Sequence, residues 1–166
     1  MEAVVYTSNT GSTEHYAKLL GHELRVSVYS TEEAGNKLPT GTEIIYLGWI
    51  MAGKIQRFGL ARKKYKICAV CAVGMGQTGT QRKEIREKNN IPGKIPVFTL
   101  QENFSVERLH GMYKMMMNIM VKTAGKTLEK KTDRTPEEED MLDMMQSGSD
   151  RVPFKNLDAV LHWYRT

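Results

Sequence analysis

The sequence predicts a doubly wound α/β domain over residues 1–166, with a five-stranded parallel sheet and helices on both faces. Three observations predict it. Short apolar runs alternate with helical patterns along the chain, the order that right-handed βαβ crossovers produce. The runs ending at Thr7, Gly48 and Val73 pass directly into small, polar or glycine-rich stretches, where such strands turn into loops. A length of 166 residues suits one core, and no internal repeat interrupts it.

The elements follow in order. Val4 to Thr7 forms the first strand, and an amphipathic helix runs on to Leu20. Arg25 to Tyr29 alternates as a short second strand, followed by a polar, turn-rich stretch through Gly35 and Pro39-Thr-Gly41. Glu43 to Gly48 is the third strand and Cys68 to Val73 the fourth, the latter entering Gly74-Met-Gly-Gln-Thr-Gly79. Thr80 is placed to cap a charged helix through Lys88, and Ile95 to Leu100 is the fifth strand. Leu157, Val160, Leu161 and Tyr164 give a final helix that covers the sheet.

Between the first strand and first helix lie Ser8-Asn9-Thr10-Gly11-Ser12-Thr13. Strand, hydroxyl-rich loop and helix start together make a phosphate site. The N–H groups of the first helical turn point outward, and the dipole adds partial positive charge. Gly11 lets the backbone approach an anion, and the Ser and Thr hydroxyls add donors. The loop has no lysine and lacks both Gly-x-x-x-x-Gly-Lys and Gly-x-Gly-x-x-Gly, so a phosphate monoester fits better than a nucleoside triphosphate or a dinucleotide. On spacing alone, Ser12 or Thr13 could equally be a plain helix cap with Glu14 in the first turn.

Ser8-x-Thr10-Gly11-x-Thr13 resembles the phosphate loop of the flavodoxin family, Ser/Thr-x-Thr-Gly-x-Thr, at the position where that family carries it. The resemblance implies a flavodoxin-like sheet in order 2-1-3-4-5 and non-covalent binding of flavin mononucleotide (FMN). In open α/β sheets ligands bind beyond the carboxyl ends of the strands where strand order reverses, a rule for which flavodoxins are a standard case. By resemblance, Ser8, Asn9, Thr10, Gly11, Ser12 and Thr13 hold the phosphate. Loops with Gly48, Trp49, Ile50, Met51 and Ala52, and with Gly74, Met75 and Gly76, sandwich the ring. Trp49 supplies an aromatic plane, Met51 and Met75 polarisable sulfur, and the glycines close backbone approach. The residues alone leave Trp49 open as a lid over the core, Gly74 and Gly76 as turn formers, and Lys54 as a solvated cation.

No side chain stands out as a catalytic acid or base, and His15, His22, His110 and His162 lack metal-ligand spacing, so no metal site is expected. Cys68-Ala-Val-Cys71 lies within a strand pattern rather than at a helix start, and both cysteines are expected to be small core residues. The sequence shows neither a signal peptide nor a bilayer-length apolar run, which implies a cytoplasmic protein. The net charge of +5 departs from the usual acidity of flavodoxin electron carriers. It leaves open an anionic membrane surface, an acidic substrate or a lysine-rich solvated surface. Nucleic acid is not an expected partner, because no basic run interleaves with aromatics.

From about 105 to 150 the chain carries more than a small flavodoxin needs. Leu109, Met112, Tyr113, Met116, Met117, Ile119, Met120 and Ala124 form an apolar helical stripe within a Met/Lys-rich segment, 105–131. It suits a lengthened core helix, a soft surface for a partner or homodimer, or peripheral contact with the inner membrane face. Met115 to Thr127 also resembles the Met/Lys helix of quinone-dependent protoporphyrinogen oxidases in the flavodoxin superfamily. The function so implied is an FMN-binding redox protein that carries electrons to a redox protein. The alternative is a flavin-dependent oxidoreductase passing electrons from a small molecule to a quinone. A flavin-free receiver module would need acidic residues at the first strand end, where Thr7-Ser8-Asn9 has none.

Overall fold

The chain divides into two units, 1–102 with 152–166, and 103–151. The computed structural model describes residues 1–9, 11–102 and 152–166. The Met/Lys-rich segment 105–131 and the connection to 150 lie outside the described residues. With them go the expectations of a quinone-linked oxidase, membrane contact and a homodimer surface.

Strands β1 (Ala3–Thr7), β2 (Ser27–Ser30), β3 (Glu43–Met51), β5 (Lys66–Gly74) and β6 (Val97–Gln101) form a parallel sheet in the order β2-β1-β3-β5-β6. A two-residue strand, β4 (Lys54–Ile55), folds back antiparallel on the end of β3. Without that hairpin strand, the order is 2-1-3-4-5, the flavodoxin-like arrangement. Helices are α1 (Ser12–Leu24), α2 (Thr31–Lys37), α3 (Phe58–Lys64), α4 (Arg82–Lys88) and α5 (Asp158–Arg165), the last entered through a 3-10 turn at Phe154–Leu157.

Side-chain alternation distributes the core to both faces. Val5, Ile44, Tyr46 and Ala72 face α2, α3 and α4, packing with Ala34, Phe58, Ala61 and Ile85. Val4, Ile45, Leu47 and Cys71 face α1 and α5, packing with Tyr16, Leu20, Val160 and Leu161. A register shift between Ile44 and Ile45 skips Cys68 on the facing strand, since Ile44 pairs with Ile67 and Ile45 with Ala69. This bulge puts Ile67 and Val70, three apart, into the same layer. Cys71 is fully buried, as expected. Cys68 is not: it sits at the bulge, partly exposed.

Several other expectations are corrected. The second strand starts at Ser27, because Arg25 caps α1 in a left-handed conformation, φ 57°. The stretch through Gly35 is helix α2, nucleated by a capping box in which Ser30 and Glu33 exchange side-chain-to-backbone hydrogen bonds. Thr80 does not cap α4; its hydroxyl donates to the Gln77 carbonyl at 2.7 Å and Gln81 is the cap residue. Thr78–Thr80 lies instead along the outer edge of β6. Gly79 N–H donates to the Thr99 carbonyl, Gln101 N–H to the Thr78 hydroxyl, and the Thr99 hydroxyl to the Thr80 carbonyl.

Among the described residues no helix is long and apolar enough to cross a membrane. No group of three or more His, Cys, Asp or Glu among them could hold a metal ion.

Candidate functional site

Register brings the three central strand ends side by side. Thr7 pairs with Gly48 and Gly48 with Ala72, so the segments that follow β1, β3 and β5 leave the sheet at one level. This is where strand order reverses around β1 and β3.

At the first strand end, Gly11 stands before α1 at φ 99°, a conformation that glycine adopts without strain. Its N–H donates to the Ser8 hydroxyl oxygen at 3.1 Å. The first intrahelical bond runs from His15 N–H to the Gly11 carbonyl, 3.0 Å, so α1 begins directly after the Gly11 turn. Ser12 and Thr13 are buried in the first turn. Ser8 is half-buried and Asn9 exposed; Thr10 lies outside the described residues.

At the second strand end the structure replaces an expected loop with a hairpin. Trp49, Ile50 and Met51 continue β3, and Ile50 pairs with Ile55 and Met51 with Lys54. Ala52 and Gly53 make the turn, both left-handed, φ 51° and 79°, which matches the right-handed twist of a two-residue hairpin. The fold-back explains Gly48. A Cβ there would stand 2.5 Å from Ile55 Cγ2 and 3.1 Å from the Gln56 carbonyl oxygen. At the third strand end Gly74 is covered by Ile50, whose Cδ1 lies 3.1 Å from where a Cβ would be. Met51, Ala52, Met75 and Gly76 are exposed, and Trp49 and Ile50 half-buried.

Two clefts result. The first, about 370 Å³, brings Ser8 and Asn9 together with Trp49. The second, about 280 Å³, brings Ile50 together with Gly74, Met75 and Gly76. Gly11, Ser12, Thr13, Gly48, Met51 and Ala52 line neither cleft. Residues that sequence reasoning did not assign to the site complete the walls: Tyr6, Glu14, Glu32, Gln56 and Arg57 in the first, Thr80, Gln81 and Thr99 in the second. Ser30-x-x-Glu33 was the readable signal for α2, which carries Glu32. Ala52-Gly53 between apolar residues was a weaker one for the hairpin that delivers Gln56 and Arg57.

The first cleft contains acids, each engaged by a partner. Glu14 pairs with Lys18 at 2.6 Å and takes a hydrogen bond from Tyr6. Glu32 pairs with Arg57. Burial, helped by Glu14, Glu33 and Glu32, pushes the Tyr6 phenol up to about 12, so it stays protonated and remains a donor at neutral pH. Thr7, on the cleft wall, belongs to a hydroxyl cluster. Thr7 Oγ1 lies against the hydroxyls of Thr31 and Tyr46, Thr31 donates to the Tyr6 carbonyl, and Tyr46 donates to the Gln56 carbonyl at 2.6 Å. It joins β1, α2, β3 and the hairpin at one point.

Neither thiol is built to react. Burial pushes Cys71 up to about 12 and raises Cys68 as well, so both are held as thiols.

No family model, curated protein or solved structure matches this chain.

Proposed function

We propose that this chain binds FMN without a covalent link and serves as an electron-transfer protein for a redox partner. One observation carries the reading. A hydroxyl-rich turn before α1, an aromatic strand end and a glycine-bearing turn emerge from three adjacent parallel strands at the switch point of the sheet.

The donor set fits a phosphate monoester. Ser8 Oγ accepts from Gly11 N–H, which leaves its own proton to donate outward. The amino-terminal turn of α1 adds the positive end of the helix dipole. Because Glu14 and Glu32 are held by Lys18 and Arg57, the cleft does not set unpaired carboxylates against an anion. The second cleft fits a flat ring: Ile50 and Met75 offer apolar cover, while Thr80, Gln81 and Thr99 offer polar groups for a ring edge. Bound there, the flavin would supply reversible electron transfer, and the chain would supply shielding, edge hydrogen bonds and orientation. Met51 and Met75, both exposed beside the clefts, give an adaptable apolar surface for a redox partner to approach.

Titration with FMN, followed by flavin fluorescence and calorimetry, tests this directly. FMN should bind, and riboflavin, which lacks the phosphate, should bind about 100-fold more weakly, the worth of two hydrogen bonds to a charged group. A protein that stays colourless with FMN and gives no heat of mixing overturns the proposal.

A further inference from the structure

We propose that Asn89, at the carboxyl end of α4, is a positioning residue that sets the width of the second cleft by fixing the β3–β4 hairpin to α4. The role in ligand binding rests on the flavin reading above. One wall of that cleft is Ile50 on the hairpin; the other is the turn from Met75 into Gln81, at the amino end of α4. Asn89 joins the two walls from behind.

Its amide is fully engaged. Oδ1 accepts from Ile55 N–H at 2.9 Å, and Nδ2 donates to the Gly53 carbonyl at 2.9 Å and to the Ile85 carbonyl at 2.8 Å. That accounts for both donor protons and an acceptor lone pair. The first two bonds meet an N–H and a C=O two residues apart on one strand edge, as a neighbouring strand would. The third fixes the side chain to the helix it caps. Beside it, the Lys54 ammonium donates to the Lys88 carbonyl. The Lys88 stem fills the space above Gly53, where a Cβ would stand 2.5 Å from Lys88 Cδ.

The helix is therefore a strut about 10 Å long. Its carboxyl end grips the hairpin, while Gln81 at its amino end lines the cleft across from Ile50. A planar guest gains most from a gap already held at the right width, because a wall that must be ordered on binding lowers affinity. The strut should therefore govern affinity for the ring and leave the phosphate loop on β1 and α1 unaffected.

Asn89→Ala and Asn89→Asp in the full chain test this. Amide hydrogen exchange in the ligand-free protein reads the hairpin, and binding of riboflavin, FMN and inorganic phosphate separates ring from phosphate. In Asn89→Ala the Ile55 amide should exchange about tenfold faster or more, with the Val5 and Ile45 amides unchanged. Riboflavin and FMN should both weaken by about tenfold, the worth of one or two hydrogen bonds, while phosphate binding is unaltered. Asn89→Asp keeps the acceptor for Ile55 but sets a carboxylate oxygen against the Gly53 and Ile85 carbonyls at the negative end of α4, so it should open the hairpin at least as far as Asn89→Ala does. Unchanged ring affinity in a variant whose Ile55 amide has opened overturns the proposal, as does an equal loss for riboflavin and phosphate. If the wild-type protein takes up neither flavin, the flavin reading falls and exchange alone decides the strut. Rapid Ile55 exchange in Asn89→Ala then sustains it, and unchanged exchange overturns it.

Discussion

Glu102 follows β6, its N–H donating to the Gly74 carbonyl at 2.8 Å, so its backbone sits beside the third strand end of the site. Burial alone moves its pKa from 4.5 up to about 6. The folded chain therefore holds this proton more tightly than the unfolded chain does. The neutral carboxyl contributes stability that is fully present below pH 4.5 and is lost as pH rises through about 6. A pKa change of this size corresponds to about 2 kcal/mol. Glu102→Gln has nothing to titrate, so it should keep that stability at neutral pH. Urea unfolding of both proteins at about pH 4 and about pH 7.5 gives the comparison. The difference, variant minus wild type, should be more favourable by about 2 kcal/mol at the higher pH. Other carboxylates titrate in both proteins and cancel. A difference that does not change with pH refutes the reasoning, because it means that burial does not disfavour the ionised carboxylate.

Gly48→Ala drives a Cβ to within 2.5 Å of Ile55 and 3.0 Å of the Tyr46 ring. It should cost about 1–3 kcal/mol, and a wild-type melting temperature would reject the close packing of the hairpin. Gly35→Ala, within α2 and with nothing inside 4 Å of its new methyl, should gain about 0.5–1 kcal/mol, read by the same melt. Ser30→Ala removes the cap from Glu33 N–H and should cost about 1 kcal/mol. A loss too small to measure would mean that α2 is held by Ala34 packing alone.

Periodicity is enough to find a strand when its residues are apolar on both faces, as in Val4-Val5 or Ile44 to Leu47, because a parallel sheet buried on both sides leaves little ambiguity. It carries β1, β3, β5 and β6, and with them the layering and the switch point. It fails where local bonding outweighs composition. Thr31-Glu-Glu-Ala-Gly-Asn-Lys37 is polar enough to pass for a turn-rich stretch, yet the Ser30–Glu33 box turns it into a helix. Trp49 to Met51 look like a loop after Gly48, and become strand because Trp49 stays in register with Val73 while Lys54, Ile55 and Gln56 return to pair with the hairpin. The phosphate-loop residues are adjacent in sequence and could be read as a motif. The acids, the arginine and the glutamine that complete the first cleft come from α1, α2 and the segment after β4, so only the fold brings them together. Asn89 offers no sequence signal at all: its partners are 36 and 34 residues earlier.

The turn laid along β6 has a consequence for how separate molecules meet. A bare strand flank attracts a neighbour's backbone and seeds aggregates. Here the outward-facing Thr99 carbonyl is taken by Gly79 and the Gln101 N–H by Thr78. The opposite flank, Ser27–Ser30, is four residues long and begins and ends in serine. With one border covered and the other only four residues long, the sheet of the described residues offers little backbone template for a stranger to extend.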